Sequence, residues 1–268
     1  MPTVDTLTGP IAYDITSIAP DWRAPEETII FHHGVGTDRD IWADWLPILA
    51  TEFRCVRIDM RGCGQSTVPP AGHDWTMDGM MLDLLAVADA VEAERFHLIG
   101  ESVGGTISLY TALHAPERLH SVTALSTGHR GSYINHVGSW REMVEKEGFG
   151  AWTNRMMEHR FFPGAVSEET YDWFAEIQAN SDPETTVALG EMLMAQDISG
   201  ELEKIYTPIL LIHPDSSPFL PVTMSAEIHS LLPNSDMMVV PHAKHAIACS
   251  HATEGAVAFM DFVAERVI

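Results

Sequence analysis

The sequence predicts an α/β protein: a doubly wound, mostly parallel sheet with a helical lid inserted late in the chain. Two features carry this reading. Short runs that are apolar at nearly every position recur along the chain with helical patterns between most of them, and between about residues 131 and 200 only helical patterns occur. The runs are TIIFHH (28–33), CVRID (55–59), FHLIG (96–100), SVTALST (121–127), PILLIH (208–213) and MMVV (237–240). Continuous apolarity, as opposed to alternation, suits strands covered on both faces, which is the condition of a parallel sheet joined by right-handed crossovers.

The first clear helix lies in TMDGMMLDLLAVADAVEA, where Met77, Met80, Met81, Leu84, Leu85, Ala88 and Val91 fall on one face at spacings of three and four. Such a Met-rich stripe reads as core. The second helical pattern follows FHLIG directly. After SVTALST come three more segments, SWREMVEKEGFGAWTNRMMEHRFF, SEETYDWFAEIQAN and PETTVALGEMLMAQ. A helical insertion at this point is expected to cover the C-terminal ends of the strands, where open α/β sheets bind ligands. The expected organisation is therefore one core domain from 1–130 and 201–268, with 131–200 as its lid. Repeats, low-complexity tracts and Gly/Ser-rich linkers are absent from the sequence.

Charge narrows the function classes. The chain has 15 basic against 38 acidic residues, a net charge of −23, and protonating all 14 histidines would still leave it acidic. Nucleic acid and anionic membranes are poor partners for such a surface. The three cysteines, Cys55, Cys63 and Cys249, are odd in number and far apart, so a disulfide framework is not expected. The opening MPTVDTLTG has no charged stretch followed by an apolar one, and no apolar run reaches about 18 residues. A cytoplasmic protein is expected; a homodimer remains open.

Chemistry concentrates at three strand ends. Gly100-Glu101-Ser102-Val103-Gly104 is a Gly-x-Ser-x-Gly pattern between an apolar strand and a helix. A tight strand-to-helix turn thrusts such a serine outward, and its flanking glycines give the bend room. Ser102 is the candidate nucleophile. A hydroxyl needs a base, and the loop PHAKHAIACSH after MMVV offers His242, His245 and His251. His245, in mid-loop, is the expected base. A zinc site built from these histidines lacks a completing carboxylate or thiol at a recognisable spacing, so no metal is expected. The N–H of Val103 and, from FHHGVGTDRDIW, the N–H of Val35 are the expected oxyanion donors. His33, Trp140, Trp152, Phe161 and Phe162 are candidate pocket residues. Arg141, Arg155 and Arg160 are candidates to meet a substrate carboxylate, although arginines on helices near glutamates are usually solvated pairs.

The chain resembles the α/β-hydrolases, and among them the 3-oxoadipate enol-lactonase-like group. HGVGTDRDIW is similar to that group's oxyanion loop, DMRGCGQS to its Asp-x-Arg-Gly-x-Gly-x-Ser loop and GESVGG to its elbow. Trp140-Arg141, Glu147-Gly148-Phe149 and Arg160-Phe161-Phe162-Pro163 resemble its cap, and MAQDISGELEKIYTPILLI its return to the sheet. Two positions depart from the pattern. Lys244 stands where a small residue usually precedes the histidine. The family's Gly-x-x-Asp after the strand reads Pro214-Asp215-Ser216-Ser217, so Ser217 occupies the acid's place and Asp215 comes two residues early.

The acid of a triad must follow a strand and lie between nucleophile and histidine in chain order. Asp236 directly precedes a strand, Asp172, Asp182 and Asp197 belong to the inserted helices or their turns, and GHRGS after SVTALST has no acid. Asp215 is thus the expected triad acid, with Ser217 a bystander. The expected activity is hydrolysis of a small-molecule ester, lactone or enol-lactone through an acyl-serine, without a cofactor. The alternatives are C–C hydrolysis of a β-diketone or perhydrolysis on the same residues, and a catalytically silent ligand binder.

Overall fold

The computed structural model describes residues 1–267 apart from Ala24 and Glu26. The six apolar runs form strands β3 (Thr28–His32), β4 (Arg54–Ile58), β5 (Phe96–Glu101), β6 (Leu119–Leu125), β7 (Ile209–Pro214) and β8 (Ser235–Val240). Two strands precede them, β1 (Thr3–Thr6) and β2 (Gly9–Thr16), and the sheet order is β1-β2-β4-β3-β5-β6-β7-β8. β1 and β2 run antiparallel to their neighbours, whereas β4 to β8 and β3 pair in parallel.

Helices α1 (Leu46–Leu49), α2 (Met77–Ala90), α3 (Val103–His114), α8 (Val222–Leu231), α9 (Ile247–Ser250) and α10 (Ala252–Arg266) flank the sheet. Side-chain alternation along β3 shows how both faces are covered. Ile29 and Phe31 pack with Trp42, Trp45 and Phe259 on one side, and Ile30 packs with Leu84, Leu98 and Leu109 on the other. Trp45 is fully buried and its indole N–H donates to Ala248 O at 2.8 Å, tying the β3 side to the chain after β8.

Between β6 and β7 lie α4 (Trp140–Glu147), α5 (Phe149–Arg160), α6 (Glu168–Asn180) and α7 (Pro183–Met194). The long pattern SWREMVEKEGFGAWTNRMMEHRFF is therefore two helices. Gly148, at φ +85°, breaks it where a left-handed backbone is needed. Asp182 caps α7 by accepting from Thr185 N at 2.7 Å, and Ser167 caps α6 by accepting from Thr170 N at 3.1 Å. Trp140, Trp152, Met156 and Leu189 of the insertion share one apolar cluster with Val35, Val103 and Ile107 of the core. The insertion thus sits over the start of α3.

The turn between β5 and α3 depends on its glycines. A Cβ on Gly104 would collide with the carbonyl oxygens of His32 and His33, and one on Gly100 with Gly104 O. Gly104→Ala should lower unfolding free energy by roughly 1–3 kcal/mol, the range of core overpacking, seen as a lower urea midpoint at unchanged m-value. An unshifted midpoint would mean the β3 loop yields freely.

Candidate functional site

The C-terminal ends of β3, β5, β6, β7 and β8 meet beneath the insertion. Ser102, between β5 and α3, has φ 59° and ψ −121°, a strained conformation for a residue with a Cβ. Its N–H donates to Leu125 O at 2.9 Å, so the neighbouring strand helps to hold the bend. Ser102 Oγ lies 3.0 Å from His245 Nε2. Val103 begins α3, and its N–H lies in the first turn, where amides have no intrahelical acceptor.

His245 is almost completely buried. Its carbonyl accepts from Ser126 Oγ at 2.9 Å, and Phe219 meets its ring edge to face at 4.7 Å between centroids. Its Nδ1 faces Ser217 Oγ at 3.2 Å. Leu220 N–H also donates to that oxygen, at 3.3 Å. If Nε2 is to accept the Ser102 proton, the ring proton must sit on Nδ1, where Ser217 Oγ can accept it. Burial, then the neighbouring Arg160, His213 and His159, hold the imidazole pKa well below its usual 6.5. Among the described residues, no carboxylate acts on it alongside burial, Arg160, His213 and His159.

Asp215 stands elsewhere, which corrects the expectation that it is the acid facing His245. β7 continues through Pro214, which pairs with Val240 of β8. Asp215 therefore comes directly at the strand end, beside the turn that follows β8. Its carboxylate accepts from His242 N at 2.8 Å and from Ala243 N at 3.2 Å. These bonds, the His242 one first, hold its pKa below the usual carboxylate value. It clasps a turn in which His242 takes φ +55°. Ser217, two residues on, is the group presented to His245.

The other expected residues divide. A cavity of about 20 Å³ is lined by Ser102, His245, Val35, Trp140, Arg160 and Phe219, among others. That is room for about one water molecule. Trp140 belongs to this wall; His33, Trp152, Phe161 and Phe162 do not. Trp152 packs edge to face against Trp140 with ring centroids 5.3 Å apart, and Phe161 packs edge to face on Phe174 at 5.0 Å. Phe162 stacks on His242 at 4.6 Å. His33 shapes its loop: Nε2 accepts from Met60 N at 2.9 Å, leaving Nδ1–H to donate to Gly34 O at 2.8 Å. Arg141 pairs with Glu184 and Glu191, and Arg155 with Glu147, all partly exposed to solvent. Arg160 alone of the three is buried at the site. Ile134, Val137, Leu193, Phe219 and Leu220 complete the apolar wall. In sequence they look like ordinary loop and core residues; Phe219-Leu220, directly after the Ser217 turn, carries the one local hint.

With this arrangement in place, the comparison with known proteins is direct. A family model described as "alpha/beta hydrolase fold" matches residues 27–252. The chain belongs to the α/β-hydrolase fold family. It is 27% identical over 233 residues to the protein named "Putative carbamate hydrolase RutD" of Pseudomonas syringae pv. syringae, covering 84% of this chain and 88% of that protein. It is 24% identical over 264 residues to 3-oxoadipate enol-lactonase 2 of Acinetobacter baylyi, covering 93% and 95%. The enol-lactonase structure from Burkholderia xenovorans superposes with a TM-score of 0.89 at 21% identity, covering 98% of this chain and 100% of that one. These relatives agree with the resemblance drawn from the motifs. Among the described residues, no helix of this α/β-hydrolase is long and apolar enough to cross a membrane.

Glu101, directly before Ser102, is fully buried. It accepts from Ala248 N at 2.8 Å. Burial pushes its pKa up to about 7 from 4.5, against the lowering by Ala248 N–H and Arg160. A raised carboxyl pKa means that the native state holds the proton more tightly than the unfolded chain. Its contribution to stability therefore falls as pH rises from about 4.5 to about 7. The integrated effect is on the order of 3 kcal/mol. Glu101→Gln should flatten that part of the stability profile relative to the parent in urea titrations at pH 5 and 7.5. An unchanged difference between the two pH values would contradict the assignment.

Proposed function

We propose that this α/β-hydrolase is a serine hydrolase that cleaves a small ester, lactone or enol-lactone through an acyl-Ser102 intermediate. The observation that carries the reading is the 3.0 Å contact of Ser102 Oγ with His245 Nε2 at a strained strand-to-helix turn. In this scheme His245 takes the Ser102 proton as Oγ attacks the substrate carbonyl. The N–H groups of Val35 and Val103 receive the developing oxyanion. His245 then returns its proton to the leaving oxygen, and water repeats the sequence to release the acid.

Ser217 takes the place of the acid. A hydroxyl can fix the Nδ1–H tautomer, but it supplies no negative charge to stabilise the imidazolium. Turnover should therefore be slow for this fold. The hydroxyl facing Nδ1 also favours a second reading, a binder of small carbonyl ligands with little turnover. C–C hydrolysis or perhydrolysis would use the same residues, and a panel of enol-lactones, simple esters and β-diketones separates these reactions.

A fluorophosphonate should label Ser102, and Ser102→Ala and His245→Ala should each bring p-nitrophenyl acetate hydrolysis down to background. An unlabelled parent protein would favour the silent binder. Ser217→Asp should raise kcat by roughly ten- to a hundredfold by adding the missing charge, while Asp215→Asn should change it less than about threefold. A collapse of kcat in Asp215→Asn would return the acid role to Asp215.

A further inference from the structure

Arg160 is buried beside Ser102 and His245 but takes no part in the proton transfers. It is the last residue of α5, only 4% exposed, and a guanidinium cannot be left unpaired in an apolar interior without a large cost. Its anchors divide between the insertion and the core. On the insertion side, Nε donates to Gln178 Oε1 at 3.3 Å, and the guanidinium carbon lies 5.6 Å from the Phe174 ring centre. Gln178 is itself fixed, because Nε2 donates to Thr153 O at 2.8 Å. On the core side, Nη2 donates to Val35 O at 2.8 Å, and the charge acts on Glu101, the residue before Ser102.

The backbone of the same segment grips the loop that carries the base. His159 O accepts from His245 N at 3.4 Å, and Arg160 O accepts from Ala246 N at 3.3 Å. One residue before His159, Glu158 O accepts from Lys244 Nζ at 2.5 Å, and that ammonium also lies 4.9 Å from the Phe162 ring centre. A cation at the carbonyl end of a helix is favourable. This gives a physical account of Lys244, a residue that departs from the family's usual small side chain.

We infer that Arg160 is a positioning residue that, with Lys244, fastens α5 across the Val35 loop, the Ser102 elbow and the His245 loop, so that seating the insertion brings the oxyanion donors and the base into register. The inference rests on the serine-hydrolase reading. A fork with two rigidly placed acceptors fixes the plane of the Val35–Gly36 peptide, and through the shared Val35 Cα this limits rotation of the Gly34–Val35 peptide that carries the Val35 N–H. A misplacement of about 1 Å in such a group can cost on the order of a hundredfold in rate. Lysine keeps the charge beside Glu101 but cannot span Val35 O and Gln178 Oε1 together.

The test compares Arg160→Gln, Arg160→Lys and Lys244→Ala with the parent protein. Four quantities are read: thermal midpoint, fluorophosphonate labelling rate of Ser102, kcat and KM for p-nitrophenyl acetate, and inhibition by phenylboronic acid, which forms an anionic tetrahedral adduct. Both Arg160 variants should lose kcat, labelling rate and boronate affinity by roughly ten- to a hundredfold with KM within about threefold. Lys244→Ala, a change at a half-buried side chain, should lose about fivefold in kcat, and Lys244→Arg should restore it. Retained kcat and boronate affinity in folded Arg160→Lys, or a raised KM at unchanged kcat, would overturn the inference. So would an unaltered kcat in Lys244→Ala if the Arg160 variants fail to fold. A parent protein that the fluorophosphonate does not label would overturn the hydrolase reading and this inference with it, whereas a labelled parent with equally labelled variants would overturn this inference alone.

Discussion

The 3.0 Å approach of Ser102 Oγ to His245 Nε2 joins residues that lie 143 positions apart in the chain, and much of the surrounding architecture bears on it. The elbow holds Ser102 at a positive φ because Gly100 and Gly104 leave room for carbonyl groups that any side chain would strike. His245 arrives on the loop that follows β8. Its loop is fixed by Ser126 on its carbonyl, by the Asp215 carboxylate on the two amides upstream, and by the end of α5 on its own amide. Strand ends supply the rigidity that a loop alone would lack.

The immediate surroundings of this pair are apolar and, on balance, cationic. Burial and Arg160 favour a neutral imidazole in the resting protein, which is the form that can accept a proton. The same surroundings oppose the imidazolium that forms when it does so. In a triad a carboxylate offsets that cost. Here the position facing Nδ1 holds a hydroxyl, and Asp215, which reads as the acid in the sequence, is occupied as a turn clasp. The site is therefore built to orient the base correctly while giving its charged form little support.

Much of the fold could be read from the sequence because β3 to β7 are largely buried on both faces, which leaves continuous apolar runs, and β8, though only partly buried at the sheet edge, keeps the apolar run MMVV. β1 and β2 were not legible: TVDT and GPIAYDIT lie at the sheet edge, where half the side chains meet solvent and the apolar signal thins. Ser102 and His245 were legible because a sharp turn needs glycines and a base needs a strand-end loop. The acid was not, for a reason that lies in one residue. Pro214 stays in the ladder opposite Val240, so the strand ends one residue later than PILLIH suggests. Asp215 then points to the neighbouring turn, and Ser217 to the histidine. Composition makes Trp152, Phe161 and Phe162 candidate pocket residues, but helix packing across the insertion decides which aromatic faces the cavity. Only Trp140 does among these four.

The central claim is that Ser102 is activated by a neutral, buried His245 whose Nδ1 rests on a hydroxyl. The most direct measurement is the rate of fluorophosphonate reaction at Ser102 as a function of pH, followed by peptide mass spectrometry. With the imidazole pKa held well below 6.5, the histidine is already deprotonated across the neutral range, and the rate constant should be independent of pH from 6.5 to about 8. A sigmoidal rise centred near pH 7 would mean that a nearby carboxylate supports the imidazolium after all, and would contradict the account.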